Sequence, residues 1–152
     1  MGFDLHRDNQ TDEGLGYYRW NIWGFPPVRY LGEIYGWVPQ GTRCEAWTDD
    51  DGKEYPAVED VGYETNDGQT VSAEDAQAWA DALKLAIPDL KKLKLVKPED
   101  KSSKIDDEFM AWREEIHNKI PQAIMRWFNT ENDIEYLEGF IRFLEAGEFQ
   151  IY

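Results

Sequence analysis

Three stretches in the second half of the chain repeat apolar residues at the spacing of an amphipathic helix. The first follows Ser72, a residue type that caps helix N-termini, and Pro88 is expected to interrupt it. The third follows Thr130 and ends at Gly147, where a left-handed C-cap is expected. The apolar stripes are Ala76, Trp79, Ala80, Leu83 and Ile87 in the first, Phe109, Trp112, Ile116 and Ile120 in the second, and Ile134, Leu137, Phe140, Ile141 and Leu144 in the third. We therefore predict about three amphipathic helices.

Turn signals dominate the first half of the chain, where strands are expected. An Asp-Gly turn at residues 51–52 lies between residues 43–47 and 54–58, which is the pattern of a β-hairpin. A second turn precedes the first helix, and both ends of the chain suit strands. The predicted fold class is α+β, a small mixed or antiparallel sheet with the helices packed on it.

Length favours a single domain over all 152 residues. Its aromatic-rich, acidic, β-containing part covers about residues 1–70, and its helical part covers about residues 71–152. Two segments stay open. Residues 17–23 fit a strand or a short helix that Pro26 and Pro27 end, and residues 123–128 fit a helix or a strand. Residues 96–105 are expected to form a linker.

Charge limits the partners of this protein. The chain has 31 acidic and 16 basic residues, a net charge of −15. Such a surface repels phosphate backbones, which disfavours direct binding of nucleic acid, and it attracts basic proteins. We expect the acidic run Asp49, Asp50 and Asp51 to contribute to a partner-binding surface, and solubility alone is the alternative reading of the charge.

The sequence lacks the residue patterns of several common metal-binding and phosphate-binding sites. A zinc site needs about four clustered ligands, whereas the chain has one cysteine, Cys44, and two distant histidines, His6 and His117. The run of three aspartates before Gly52 does not fit a calcium loop, because Trp47 would occupy the first ligand position. No phosphate-binding glycine motif is present. We therefore predict no catalytic residue, no metal and no cofactor, with Cys44 as a buried structural residue.

No apolar run in the sequence reaches the length of a membrane helix, and no secretory signal is visible at the N-terminus. A single cysteine suits a reducing compartment. The sequence predicts no association with a membrane and a cytoplasmic location.

One group of residues suggests a small-ligand site. Arg19, Asn21, Trp23 and Arg29 place two cations and an amide among aromatic side chains, a combination that can stack a planar ring and hold an anionic group. Asn66 and Asp67 are candidates to line the same pocket. The alternative is that the aromatic residues pack in the core and the arginines pair with nearby carboxylates.

Four short motifs carry a resemblance: MGFDL at residues 1–5, GYYRWNIW at residues 16–23, NDG at residues 66–68 and LEAGEFQI at residues 144–151. With these motifs the chain resembles a family of small uncharacterised proteins of bacteriophages and bacteria. The resemblance implies a phage or prophage origin and no particular chemistry. The GFPP sequence at residues 24–27 and the final tyrosine depart from that family's pattern.

These observations lead to a ranked set of functional hypotheses. The first is a non-enzymatic phage-type accessory protein that binds a host protein with a basic surface, using acidic residues and aromatic anchors. The second is a module that binds or sequesters a nucleotide-like or other small anionic ligand. The third is a small hydrolase that uses carboxylates, for which the sequence shows no local pattern.

Overall fold

The protein has a mixed α+β fold, as the sequence predicts. The computed structural model describes residues 2–8, 15–44, 46–95 and 107–152. In these ranges the strands are β1 (Gly2–His6), β2 (Tyr17–Asn21), β3 (Thr42–Cys44), β4 (Trp47–Thr48), β5 (Glu54–Tyr55), β6 (Val58–Val61), β7 (Gln69–Val71) and β8 (Phe149–Ile151). The helices are α1 (Phe25–Ile34), α2 (Ala73–Leu95), α3 (Asp107–Lys119), α4 (Gln122–Met125) and α5 (Glu131–Glu145), with a 3-10 turn at Arg126–Phe128.

The main sheet has four antiparallel strands in the order β2-β1-β8-β7. The last strand of the chain therefore lies in the middle of the sheet, between the first strand and β7. Tyr152 extends the β1–β8 ladder, because Tyr152 and Asp4 each donate a backbone hydrogen bond of 2.7 Å to the other. Two short antiparallel ladders, β3 with β6 and β4 with β5, lie outside this sheet.

The two faces of the main sheet differ in character, since neighbouring residues of a strand point to opposite faces. One face is apolar and buried, and it carries Phe3, Leu5, Trp20, Val71, Phe149 and Ile151. The other face is open and mostly polar, and it carries Asp4, His6, Tyr17, Arg19 and Tyr152. This alternation is typical of an antiparallel sheet with helices on one side only.

Aromatic rings hold the helices together in the core. The indole of Trp79 on α2 stacks on that of Trp37, with ring centroids 4.3 Å apart and planes within 2°. Its other contacts include an edge-to-face contact of 5.1 Å with Phe140 on α5. The core contains buried residues from the β-containing part and from the helical part of the chain.

Both predicted helix caps are confirmed. Ser72 Oγ accepts a hydrogen bond of 3.1 Å from the backbone N–H of Asp75 at the start of α2. Thr130 and Asp133 form a reciprocal capping box at the start of α5. The predicted core face of α5 is buried, and Gly147 after it has a φ of 120°.

Arg7 ties the end of β1 to the C-terminus of α5. Its guanidinium donates hydrogen bonds to the carbonyl oxygens of Phe143 (2.6 Å), Gly147 (2.9 Å) and Leu15 (2.7 Å). A cation is favourable at this end of a helix because it faces the negative end of the helix dipole. Burial lowers the pKa of Arg7.

Proline affects the helices differently from the prediction. Pro88 does not interrupt the helix, because α2 continues through it from Ala73 to Leu95. Buried residues on both sides of the proline, such as Leu83 and Leu90, keep the helix packed in the core. Pro26 and Pro27 end no helix; they lie in the first turn of α1, where a missing N–H costs little.

The open segments take definite structures where they are described. Residues 17–23 contain strand β2, which ends at Asn21, and residues 123–128 contain part of α4 and the 3-10 turn. The predicted linker at residues 96–105 and the side chains of Cys44 and Phe109 lie outside the described part of the chain.

Candidate interaction surface

The predicted hairpin forms a separate arm, which we call the acidic hairpin and define as residues 46–56. Trp47 pairs with Tyr55 and Thr48 pairs with Glu54 across the β4–β5 ladder. Gly52 completes the turn with a φ of 82°, a conformation that glycine adopts without strain. A two-residue ladder is marginal by itself, so side-chain contacts must help to hold it.

Asp49 is the residue that shapes the turn. Its carboxylate accepts hydrogen bonds from the backbone N–H of Asp51 (3.1 Å) and of Lys53 (2.9 Å). It also accepts one from the hydroxyl of Tyr55 (3.2 Å). Of the three aspartates predicted to meet a partner, Asp49 thus stabilises the hairpin itself, while Asp50 and Asp51 are exposed.

An aromatic pair forms one side of the acidic hairpin. The rings of Trp47 and Tyr55 stack with centroids 4.4 Å apart and planes within 8°. Trp47 remains 57% exposed. Both rings line a surface hollow of about 400 Å³ together with Ala46, Thr48, Glu54 and Pro56. The structure therefore places exposed aromatic surface beside exposed carboxylates, on one short arm.

Three residues of this surface were not predicted from the sequence: Trp47, Tyr55 and Glu54. The signal was present, because an Asp-Gly turn with strands on both sides places these residues opposite or beside one another. Exposure of the aromatic pair was not visible in the sequence, since aromatic residues in strands mostly pack in a core.

The predicted ligand residues occupy different parts of the fold. Arg19 lies on β2, an edge strand of the main sheet, and its Nε is 3.8 Å from a carboxylate oxygen of Asp4. Asn21 Oδ1 accepts hydrogen bonds from the backbone N–H groups of Trp23 (3.0 Å) and Gly24 (2.7 Å), so it closes a turn. This turn leaves the Trp23 side chain 73% exposed.

Arg29 is paired elsewhere. It is buried on α1, only 8% exposed, and its guanidinium is 3.2 Å from the carboxylate of Glu64, in the segment that leads to the opposite edge strand β7. Asn66 and Asp67 are exposed in the same segment, where the backbone N–H of Asp67 donates to the side-chain oxygen of Gln69 (2.8 Å). Arg19 and Arg29 thus lie on different elements and pair with different carboxylates.

The open sheet face is a second polar surface, centred on His6. Its imidazole lies 4.9 Å from the ring of Tyr17 and 5.8 Å from that of Tyr152. The Tyr17 hydroxyl donates to Asp4 (2.5 Å), and this hydrogen bond raises the pKa of Tyr17. Asp4 also lies beside Arg19, so the polar groups of this face largely satisfy one another.

Asp75, in the first turn of α2, is a buried carboxyl. It is fully buried and accepts hydrogen bonds from Trp37 Nε1 (2.8 Å), the Tyr63 hydroxyl (2.5 Å) and the backbone N–H of Gln40 (3.1 Å). Because three donors occupy its oxygen atoms, Asp75 serves as a structural acceptor that joins three segments of the chain. The sequence gives no local signal for this role.

The remaining titratable candidates do not assemble in the described part of the chain. His117 is exposed on α3, where its Nε2 lies 3.4 Å from Arg113 Nε. Among the residues that the structure describes, no three histidine, cysteine or acidic side chains are placed to hold a metal ion. No helix within the described ranges is both long and apolar enough to cross a membrane.

Comparison of the chain with protein-family models, with curated proteins and with solved structures gives no match.

Proposed function

We propose that this protein is a non-enzymatic accessory protein that binds a basic protein partner through the acidic hairpin. The observation that carries the proposal is the stack of the exposed Trp47 on Tyr55, on the same short arm as the exposed residues Asp50, Asp51 and Glu54. The resemblance to small phage proteins makes a host protein in the cytoplasm the expected partner.

Aromatic residues and carboxylates have separate roles in such an interface. A few buried anchor residues, often tryptophan or tyrosine, dominate an interface, and truncation of one such residue costs about 2 kcal/mol or more. Carboxylates at the rim steer a basic partner and accelerate association, with less effect on the lifetime of the complex. Residues 45–60 contain seven acidic residues and one lysine, so the local charge matches a basic partner.

The test removes charge from the hairpin without disturbing its turn. The variant D50N/D51N/E54Q keeps Asp49, because Asp49 holds the turn. The control E114Q/E115Q/E135Q removes the same charge from exposed positions on α3 and α5. The probe is a fluorescent peptide of nine arginines, and its affinity is measured by anisotropy at low and at physiological salt.

We expect the hairpin variant to bind about tenfold more weakly at low salt, which corresponds to about 1.4 kcal/mol. The control should bind within about twofold of the wild type, and added salt should reduce the difference because it screens exposed charges. Equal losses in the two variants would show that the peptide senses only the overall charge, and would contradict the proposal.

A further inference from the structure

The acidic hairpin already carries one cation on its aromatic pair. The Nζ of Lys53, the residue just before β5, lies 5.0 Å from the centroid of the Tyr55 ring. Tyr55 is in turn stacked on Trp47. A cation is attracted to the negative face of an aromatic ring, and tryptophan offers the strongest such face. The hairpin's own lysine therefore uses the weaker of the two rings, while Trp47 stays 57% exposed.

The hollow beside Trp47 lies next to acidic residues of the hairpin. Its lining contains both rings and Glu54, and its volume is about 400 Å³. The exposed residues Asp50 and Asp51 lie in the adjoining turn. A cation that enters this hollow can contact an aromatic ring while it stays close to the negative charge of the hairpin.

The guanidinium of arginine fits this combination better than the ammonium of lysine. It is planar, stacks on aromatic rings, presents paired donors to a carboxylate and is more weakly hydrated. An ammonium is compact and strongly hydrated, so its transfer onto a ring costs more solvation.

From these features we infer that the partner inserts an arginine side chain into the hollow, stacked on Trp47 and attracted by the carboxylates of the acidic hairpin. The inference rests on the proposed function, because it names the group through which the basic partner is recognised.

The test compares peptides of nine arginines and of nine lysines, which carry equal charge. We expect the arginine peptide to bind the wild-type protein at least fivefold more tightly. The preference should fall below about twofold in W47L, and W47F, which keeps a ring, should retain part of it. The arginine δ-methylene protons should shift upfield in the NMR spectrum of the wild-type complex, because they lie over an aromatic ring.

The outcomes separate this inference from the proposed function. If the two peptides bind equally while D50N/D51N/E54Q still weakens binding, the proposed function stands and the arginine site is wrong. If the preference persists in W47L, carboxylates alone select arginine, and stacking on Trp47 is wrong. If W47L loses the hairpin structure, the wild-type spectrum decides, and absence of the upfield shift overturns the inference. If neither the charge variant nor W47L weakens binding, both proposals fall.

Discussion

At the scale of single residues, the buried carboxyl of Asp75 is the acceptor for three hydrogen bonds. Its three donors come from the segment after α1 and from the segment between β6 and β7. A buried donor that loses its acceptor costs about 1–3 kcal/mol, which exceeds the net gain from an ordinary hydrogen bond. Asp75 is therefore expected to matter more for stability than any exposed acidic residue.

We predict that D75N lowers the free energy of unfolding by about 2–4 kcal/mol. The amide keeps one oxygen and replaces the other with an NH₂ group. This NH₂ group cannot accept a hydrogen bond, so at least one of the three donors loses its acceptor. Urea unfolding measures the change, and D81N, at an exposed position on the same helix, is the control. A D75N variant within about 0.5 kcal/mol of the wild type would show that the hydrogen bonds of Asp75 contribute little.

At the scale of elements, the sequence predicted the local structure where a capping residue or a turn sequence accompanied the spacing of apolar residues. Ser72 and Thr130 start α2 and α5, and the Asp-Gly turn forms the hairpin. Each of these signals acts within a few residues of the structure that it specifies. The rule that proline interrupts a helix failed at Pro88, because core packing on both sides of it outweighs a cost of about 3 kcal/mol.

Features that depend on contacts distant in the sequence were not predictable. The order of the main sheet places β8 beside β1, and nothing near either strand specifies that neighbour. The same holds for the candidate site. The hairpin and its acidic turn followed from local residues, whereas the separation of Arg19 from Arg29 depends on which carboxylates the fold brings to them.

The packing of α1 on α2 requires a glycine at position 32. A Cβ atom on Gly32 would lie 2.6 Å from Cδ1 of Trp79 and 3.0 Å from Cε3 of Trp37. We predict that G32A lowers the free energy of unfolding by about 1–2 kcal/mol, because overpacking outweighs the better helix propensity of alanine. Chemical unfolding of G32A, W79L and the double variant tests the cause. If contact with Trp79 is responsible, G32A costs less in the W79L background than in the wild type, and an equal cost in both would contradict it.

At the scale of the whole molecule, the excess of negative charge shapes the surface. With 31 acidic and 16 basic residues, one-to-one pairing would still leave 15 acidic side chains without a cation. The ion pairs seen in the described part of the chain, such as Arg29 with Glu64 and Lys91 with Glu138, thus involve the less abundant type of charge. Packing of the apolar core must supply the stability that self-repulsion removes.

Buried tyrosines make this stability sensitive to alkaline pH. Burial is the main cause that raises the pKa of Tyr18, Tyr35 and Tyr63 above the ordinary value of 10. Hydrogen bonds to Asp89 and Asp75 add to this effect for Tyr35 and Tyr63, respectively. The three tyrosine hydroxyls have different hydrogen-bond partners, so their loss of a proton affects the stability of several parts of the fold.

We predict that the free energy of unfolding falls steeply as the pH rises above about 10. Above that pH the unfolded chain releases protons that the folded protein still holds, so stability is complete below it and is lost as the pH rises toward the raised pKa values. Each such tyrosine contributes a slope of about 1.4 kcal/mol per pH unit. Urea unfolding at a series of pH values measures the slope, which Y63F should reduce and Y30F, at an exposed ring, should leave as in the wild type. An unchanged slope in Y63F would mean that Tyr63 does not keep its proton in the folded state.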